Sequence, residues 1–459
     1  MKLSIFKDKT DTSDYLFNNN DLKKLIIPLI IEQILAMTVG VADSMMVANA
    51  GEAAVSAVSL VDTVFILLIN LFSALGTGGA VICGQSIGKR QPETACRAAN
   101  QLVLFTGAFS VAIMALTYLF RSFILHGVFG NIEADVMANC KIYLMIVTAS
   151  IPFIALYNAG AAIMRSMGDS KTAMYMSLVM NGINLVGNAI LIYGFHLGVA
   201  GAAIPTLISR MVAAVVILYM LKDQKKSIHL LLPFNFRFDL PLLKKILGIG
   251  IPNGLENSMF QLGKILVLSM ASGFGTASIA ANAVCNNIAC FQILPGAAIG
   301  FAVLTVAAQC AGAGDMKQVR YYTKKLLTIV YVSVFFTNIL VLAALPTLIK
   351  LYNLSAEAAG YTHDIIWYHG LCAVFIWPMS FTLPNTLRAV ADVKFPMVLS
   401  IVSMWVFRIG FSWVIGVYLG WGIFGIWVAM TIDWLFRAIC FVLRYRSSKW
   451  EHALGHGKQ

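Results

Sequence analysis

Among long apolar stretches, the few ionisable and amide side chains are the residues that could do chemistry. The segment PLIIEQILAMTVGVAD carries Glu32 and Asp43, a separation of about three helical turns, or roughly 16 Å along one side of a helix. A carboxylate inside a membrane helix is costly and marks a functional site by default. Further on, Asn181, Asn184 and Asn188 follow an i, i+3, i+7 spacing that puts three amides on one helix face. Hard cations such as Na⁺ take oxygen ligands, and a proton needs a titratable carboxylate. Asp43 with Asn181, Asn184 and Asn188 is therefore a candidate site for a coupling cation; the competing reading is that the amides only join helices by hydrogen bonds. Arg210 is a candidate to neutralise Asp43 instead, and Asp62 is read as a polar contact between helices.

The second half has its own membrane charges, Glu256, Lys264, Arg408 and Asp433. Counting inward from opposite ends of adjacent spans puts Arg408 and Asp433 near mid-bilayer, where intramembrane charges usually pair, so a structural ion pair is expected. Lys264 is a partner for an acid or a cavity-lining charge, and a fixed cation there sits badly with a purely cationic substrate. Glu32 and Glu256 each follow a proline by four residues. A helix break is expected there, with the glutamates at a gate or cavity rim or in a capping role.

These residues must be positioned by a membrane fold. The chain has 459 residues, 59% hydrophobic and 12% charged, where a soluble domain carries about 25% charged residues. About 20 apolar residues make one span, and twelve such stretches occur between residues 24 and 443. The net charge of +12 does not call for a nucleic acid, because Lys and Arg concentrate in alternate short loops. That pattern puts both termini on the cytoplasmic side. The first 23 residues are polar and hold no signal-peptide core. None of the eight cysteines forms a C-x-x-C pair, the seven histidines lack ligand spacing, and no phosphate-binding G-x-x-x-x-G-K-[ST] run is present.

The halves repeat. Displacing the first by 224 residues puts Pro28 on Pro252, Glu32 on Glu256, Gly51 on Gly275, Gln85 on Gln309 and Gly88 on Gly312; a displacement of 223 puts Arg165 on Arg388 and Asp169 on Asp392. Six spans per half is an even number, so the halves share one orientation, a transporter architecture with its substrate cavity at the repeat interface. The expected fold is an all-α integral membrane protein with 12 transmembrane helices in two six-helix lobes related by a parallel internal repeat. Its parts are an N-terminal segment (1–23), an N-lobe (24–221), a cytoplasmic linker (222–245), a C-lobe (246–443) and a tail (444–459). The copy fails at Asp43, which falls on Val267, and at the amide stripe, which falls on Met404, Phe407 and Phe411. The cation site is therefore expected in the first lobe alone.

In order along the chain come GVADSMMV, GEAAVSAVSL, AVICGQSIGKR, MRSMGDSK, NLVGNAILIYG, GVAGAAIPTLISR and VAAQCAGAGD. With the two six-span halves, this series resembles the multidrug and toxic compound extrusion (MATE) transporters from about Pro28 to Arg444. The resemblance implies an antiporter that exports small organic, often cationic or amphipathic compounds in exchange for Na⁺ or H⁺, needing no other cofactor. It implies a coupling role for Asp43, Asn184, Asn188 and a hydroxyl at Thr206, with Na⁺ held at Asp43, Asn184 and Asn188. Some members have Asp where this chain has Asn188, and one branch has Glu and Asp where this chain has Phe260 and Ile376. These departures leave Asp43 the main candidate and the ion open. The expected partners are a small-molecule substrate and membrane lipid, for a monomer in a bacterial inner or plasma membrane. The alternatives are a flippase of lipid-linked precursors, which calls for a groove of several cations, and an integral-membrane enzyme, which leaves the repeat unexplained.

Overall fold

A computed structural model describes residues 15–130, 132–231, 236–447 and 449–452. The expected segments 1–23, 222–245 and 444–459 lie partly outside these.

The N-lobe begins with α1 (Asn19–Ala48), α2 (Glu52–Gly88) and α3 (Pro92–Leu119). Its fourth span is a pair, α4 (Ala134–Thr148) and α5 (Ile151–Ser166), bent by 47°. Pro152 stands in the first turn of α5, where its missing N–H costs nothing but its ring cannot continue the preceding helix. Then come α6 (Ser170–Asn188), continued by a wider-pitched turn to Gly194, and α7 (Val199–Met220). The C-lobe repeats this order with α8 (Leu240–Ser272), α9 (Thr276–Gly312) and α10 (Met316–Leu351). A span bent by 59° follows, α11 (Ala356–Phe375) and the segment from Pro378 through α12 (Pro384–Ala389). The last two are α13 (Lys394–Ser403), extended by wide turns to Tyr418, and α14 (Gly422–Arg446). The repeat extends to backbone angles: the turns into α2 and α9 use Gly51 and Gly275 at φ 104° and 94°, a region only glycine enters freely.

Among the described residues, nine single helices and two bent pairs are long and apolar enough to cross a membrane. The remaining member of the expected twelve is α8, which has 33 residues but is diluted by Asn253, Glu256, Asn257 and Lys264. Its polarity marks the helix that lines the cavity between the lobes. Element ends depart from expectation: α1 starts at Asn19, α8 starts at Leu240 inside the expected linker, and α14 runs past residue 443. The expected helix breaks at Pro28 and Pro252 are absent, because both α1 and α8 run straight through their prolines. Only one intrahelical bond is lost at each site, and tertiary packing compensates for it.

The linker is strapped to α3. Asn100 exchanges hydrogen bonds with the Leu231 backbone, Gln101 with the backbone of Arg237 and Asp239, and Arg97 pairs with Asp239 at 2.5 Å. Two lobe cores flank the interface, one built on α3, α5 and α7 and the other on α9, α10 and α14.

Candidate functional site

The α1 helix brings Asp43 against α6 and α7. The Asn188 amide donates to Asp43 Oδ1 at 2.8 Å. The Asn184 amide satisfies its surroundings when its nitrogen donates to the Asp43 oxygens, at 2.7 and 2.9 Å, and its oxygen accepts from the Thr206 hydroxyl at 2.9 Å. Asp43, Asn184, Asn188 and Thr206 thus form one cluster, and spacing alone makes this possible for α6, where residues four apart share a face. Asn188 is 1% exposed and its Oδ1 has no hydrogen-bond partner. Asn181, one further turn along the stripe, is not part of the cluster; its amide reaches only Ser177, at 3.4 Å.

Arg210 does not pair with Asp43. Its guanidinium donates to Ser150 Oγ at 2.8 Å, and it forms no ion pair within 4.0 Å among the described residues. It stands within electrostatic range of both Asp43 and Asp62. Asp62 accepts from the Tyr143 hydroxyl at 3.2 Å, a contact between α2 and α4.

Glu32 and Glu256 belong to ion pairs that obey the repeat. Glu32 meets Arg165 at 3.2 Å, and Glu256 meets Arg388 at 2.8 Å. The second pair is enlarged: Ser400 donates to Glu256 at 2.7 Å and Arg437 approaches it at 3.5 Å. Arg437 has no N-lobe counterpart, since the repeat places it on alanine. Glu256, Arg388 and Arg437 sit on the wall of a cavity of about 410 Å³ between the lobes, with Phe260, Trp377 and Phe381 as its aromatic lining and Gln33, Asn70 and Ser73 contributed by the N-lobe. The roles of Arg165, Arg388 and Arg437 were missing from the sequence reading. Arg165 and Arg388 match each other across the repeat as Glu32 and Glu256 do, a signal of opposite charge at two repeated positions; Arg437 has none.

Arg408 and Asp433 approach to 3.8 Å, too long for a hydrogen bond. Arg408 Nη1 and Asp433 Oδ2 are both buried without hydrogen-bond partners, and Ser403 bonds the other Asp433 oxygen. Lys264 is accessible and lines a separate C-lobe cavity of about 300 Å³ with Arg408.

One end of the lobe interface is closed by a reciprocal contact. Gln85 Nε2 donates to the Ala389 carbonyl, and Gln309 Nε2 donates to the Ser166 carbonyl, both at 2.7 Å. Around them Gly88 packs on the Gln309 backbone and Gly312 on the Gln85 backbone, so closely that a Cβ would fall 2.0 and 2.1 Å from the facing carbonyl oxygens. This is a pseudo-two-fold contact, in which i meets j and j meets i.

The family model MatE matches residues 28–190 and 252–414, one copy in each lobe and both beginning on the repeated proline. The chain belongs to the MatE family. The family match falls on the two halves that share the 224-residue displacement. Its relatives include an uncharacterized transporter, YisQ, of Bacillus subtilis, 28% identical with 98% of this chain and 99% of that protein covered. Another is a probable multidrug resistance protein, NorM, of Thermotoga maritima, 25% identical over 98% and 97% of the two chains. Among solved structures, an outward-facing multidrug resistance MATE family transporter superposes with TM-score 0.87 at 22% identity, covering 94% of this chain and 96% of that one. A MATE protein in its bent conformation gives 0.83 at 23% identity, with 95% and 96% covered. This MatE protein is thus a multi-span membrane protein of a transporter family, in two repeat-related lobes. The likenesses lend the flippase reading no support.

Proposed function

We propose that the protein is a secondary antiporter that exports small organic compounds across a bacterial cytoplasmic membrane in exchange for Na⁺ or H⁺, working as a monomer. The observation that carries this reading is the Asp43 cluster: a carboxylate in a membrane helix, bonded by the Asn188 and Asn184 amides and by no fixed cation. A membrane carboxylate held by neutral groups keeps its charge available for a mobile ion. Turning the Asn188 amide, whose Oδ1 is buried without a partner, would bring that oxygen beside Asp43, and the Thr206 hydroxyl offers another of the oxygens a Na⁺ ion takes. Relatives named for multidrug resistance support an organic substrate. With the basic loops on the cytoplasmic side, the reciprocal glutamine contact closes that side and the central cavity serves the other, the outward-facing state of an alternating-access cycle.

The test is efflux from proteoliposomes with Na⁺ and pH gradients imposed separately. Asp43→Asn is expected to abolish gradient-driven efflux, and retained efflux overturns the site. Asn184→Ala and Asn188→Ala are expected to weaken Na⁺ coupling more than H⁺ coupling, because a proton needs no oxygen cage; equal losses count against Na⁺.

A further inference from the structure

The C-lobe cavity of about 300 Å³ is the repeat image of the Asp43 site with its charges exchanged. At the displacement of 224 residues, Val267 stands for Asp43, Asn286 for Asp62, Met430 for Thr206 and Lys264 for Gly40. Arg408 stands within one residue of the counterpart of Asn184, and Asp433 within one residue of that of Arg210. The N-lobe pocket therefore has two acids backed by one arginine, and the C-lobe pocket has two cations backed by one aspartate.

The single aspartate does not balance the two cations. Lys264 forms no ion pair or hydrogen bond among the described residues. Arg408 is 6% exposed, lies 3.8 Å from Asp433, and keeps a buried Nη1 without a hydrogen-bond partner. Both sit over one aromatic ring, Lys264 Nζ at 5.1 Å and the Arg408 guanidinium at 4.8 Å from the centroid of Phe260. Cation–π contact offsets part of their desolvation, but two like charges on one ring repel. An anion between them relieves the repulsion and can accept a charge-assisted bond from the Lys264 ammonium. The rest of the wall suits an amphipathic molecule: Trp427, whose indole donates to Asn282 at 3.1 Å, beside Val267 and Met430. Phe260, the ring beneath both cations, itself lines the central cavity.

We propose that this pocket binds the carboxylate or other single anionic group of a soluble aromatic amphiphile. Resting on the transporter reading, it makes the substrate class anionic or zwitterionic rather than purely cationic. The test is equilibrium binding, without any gradient, of 2-naphthoate, its neutral amide and the matching naphthylmethylammonium to the full-length protein in nanodiscs. Naphthoate is expected to bind at least tenfold more tightly than the other two. Lys264→Gln is expected to remove most of that preference and Lys264→Arg to keep it; Lys264 is accessible, so neither change perturbs folding as loss of Arg408 would. Asp43→Asn is expected to leave naphthoate binding intact, and phosphatidylglycerol in the disc is expected not to displace it. Equal binding of the three probes, indifference to Lys264→Gln, or displacement by the anionic lipid each overturns the proposal. Because no transport is read, failed efflux with intact binding counts against the antiporter reading alone.

Discussion

Replacing Gly312 by alanine should open the closed end of the lobe interface. The new Cβ would lie 2.1 Å from the Gln85 carbonyl oxygen and 2.6 Å from its Cα. Both are main-chain atoms inside α2, so no rotamer change relieves the clash. A carbon and a carbonyl oxygen need about 3.3 Å, so the facing helices must part by about 1.2 Å. The same movement stretches the bonds from Gln85 to Ala389 and from Gln309 to Ser166, each 2.7 Å, to about 3.9 Å, beyond hydrogen-bond range. At about 0.5–1.5 kcal/mol net for each bond, the closed state loses about 1–3 kcal/mol, a shift of about 5- to 150-fold toward the alternative state. Spin labels at Lys171 and Lys394, exposed and on opposite lobes at this end, read the distance by double electron–electron resonance. The distribution should move to longer distance in Gly312→Ala, and likewise in Gly88→Ala, whose Cβ would lie 2.0 Å from Gln309 O. The double variant should add little, since one opening relieves both clashes. Gly182→Ala, with nothing within 4 Å of its Cβ, is the control. An unchanged distribution in both interface variants would refute the claim that this contact holds the lobes together.

Glu256 compensates two arginines and Glu32 only one, so Glu256→Gln should be the more damaging change. Stranding buried Arg437 and partly buried Arg388 costs about 3–5 kcal/mol, seen as a lower melting midpoint in detergent than for Glu32→Gln; equal midpoints would contradict the assignment. Outside the spans, Asp169 caps α6. Burial raises its pKa, but bonds from Thr172 and Lys226 outweigh this and hold it below the ordinary carboxylate value. The stabilising contribution is therefore complete above about pH 4 and lost as pH falls through the lower folded value. Asp169→Asn should remove that acid-side loss from the melting-midpoint profile, and an unaltered acid limb would count against it.

The lobes and their repeat were legible because membrane burial imposes long apolar runs, and because Pro, Gly, Gln and Glu do not recur in register by composition alone. The Asp43 cluster was legible in part: helical spacing places Asn184 and Asn188 together, but not whether α1 turns Asp43 toward them. The same spacing also takes in Asn181, which lies one turn further along α6 and bonds Ser177 rather than Asp43. The pairing of Glu32 with Arg165 left only an indirect trace, two positions matched across the repeat, because residues 133 apart meet only through tertiary packing. The expectation of helix breaks at Pro28 and Pro252 failed because a local rule, one lost hydrogen bond, was set against packing on both sides of a helix.

The pattern of agreement between the halves has a physical cause. A pseudo-two-fold interface constrains both copies at once: Gly88 must be small because Gln309 faces it, and Gly312 because Gln85 does. A change in one copy alone breaks one contact of a coupled pair, so Gly88, Gly312, Gln85, Gln309 and the Glu–Arg pairs beside them match. The Asp43 pocket and the Lys264–Arg408 pocket each lie within a single lobe. No contact of one constrains the other, so each can take its own charge without cost to the interface. On the proposed mechanism, divergence between the repeats marks where the chemistry would sit, and agreement between them marks the lobe interface on which it would act. A coupling cation in one lobe and an anionic substrate group in the other would then act on one rocking interface from both sides.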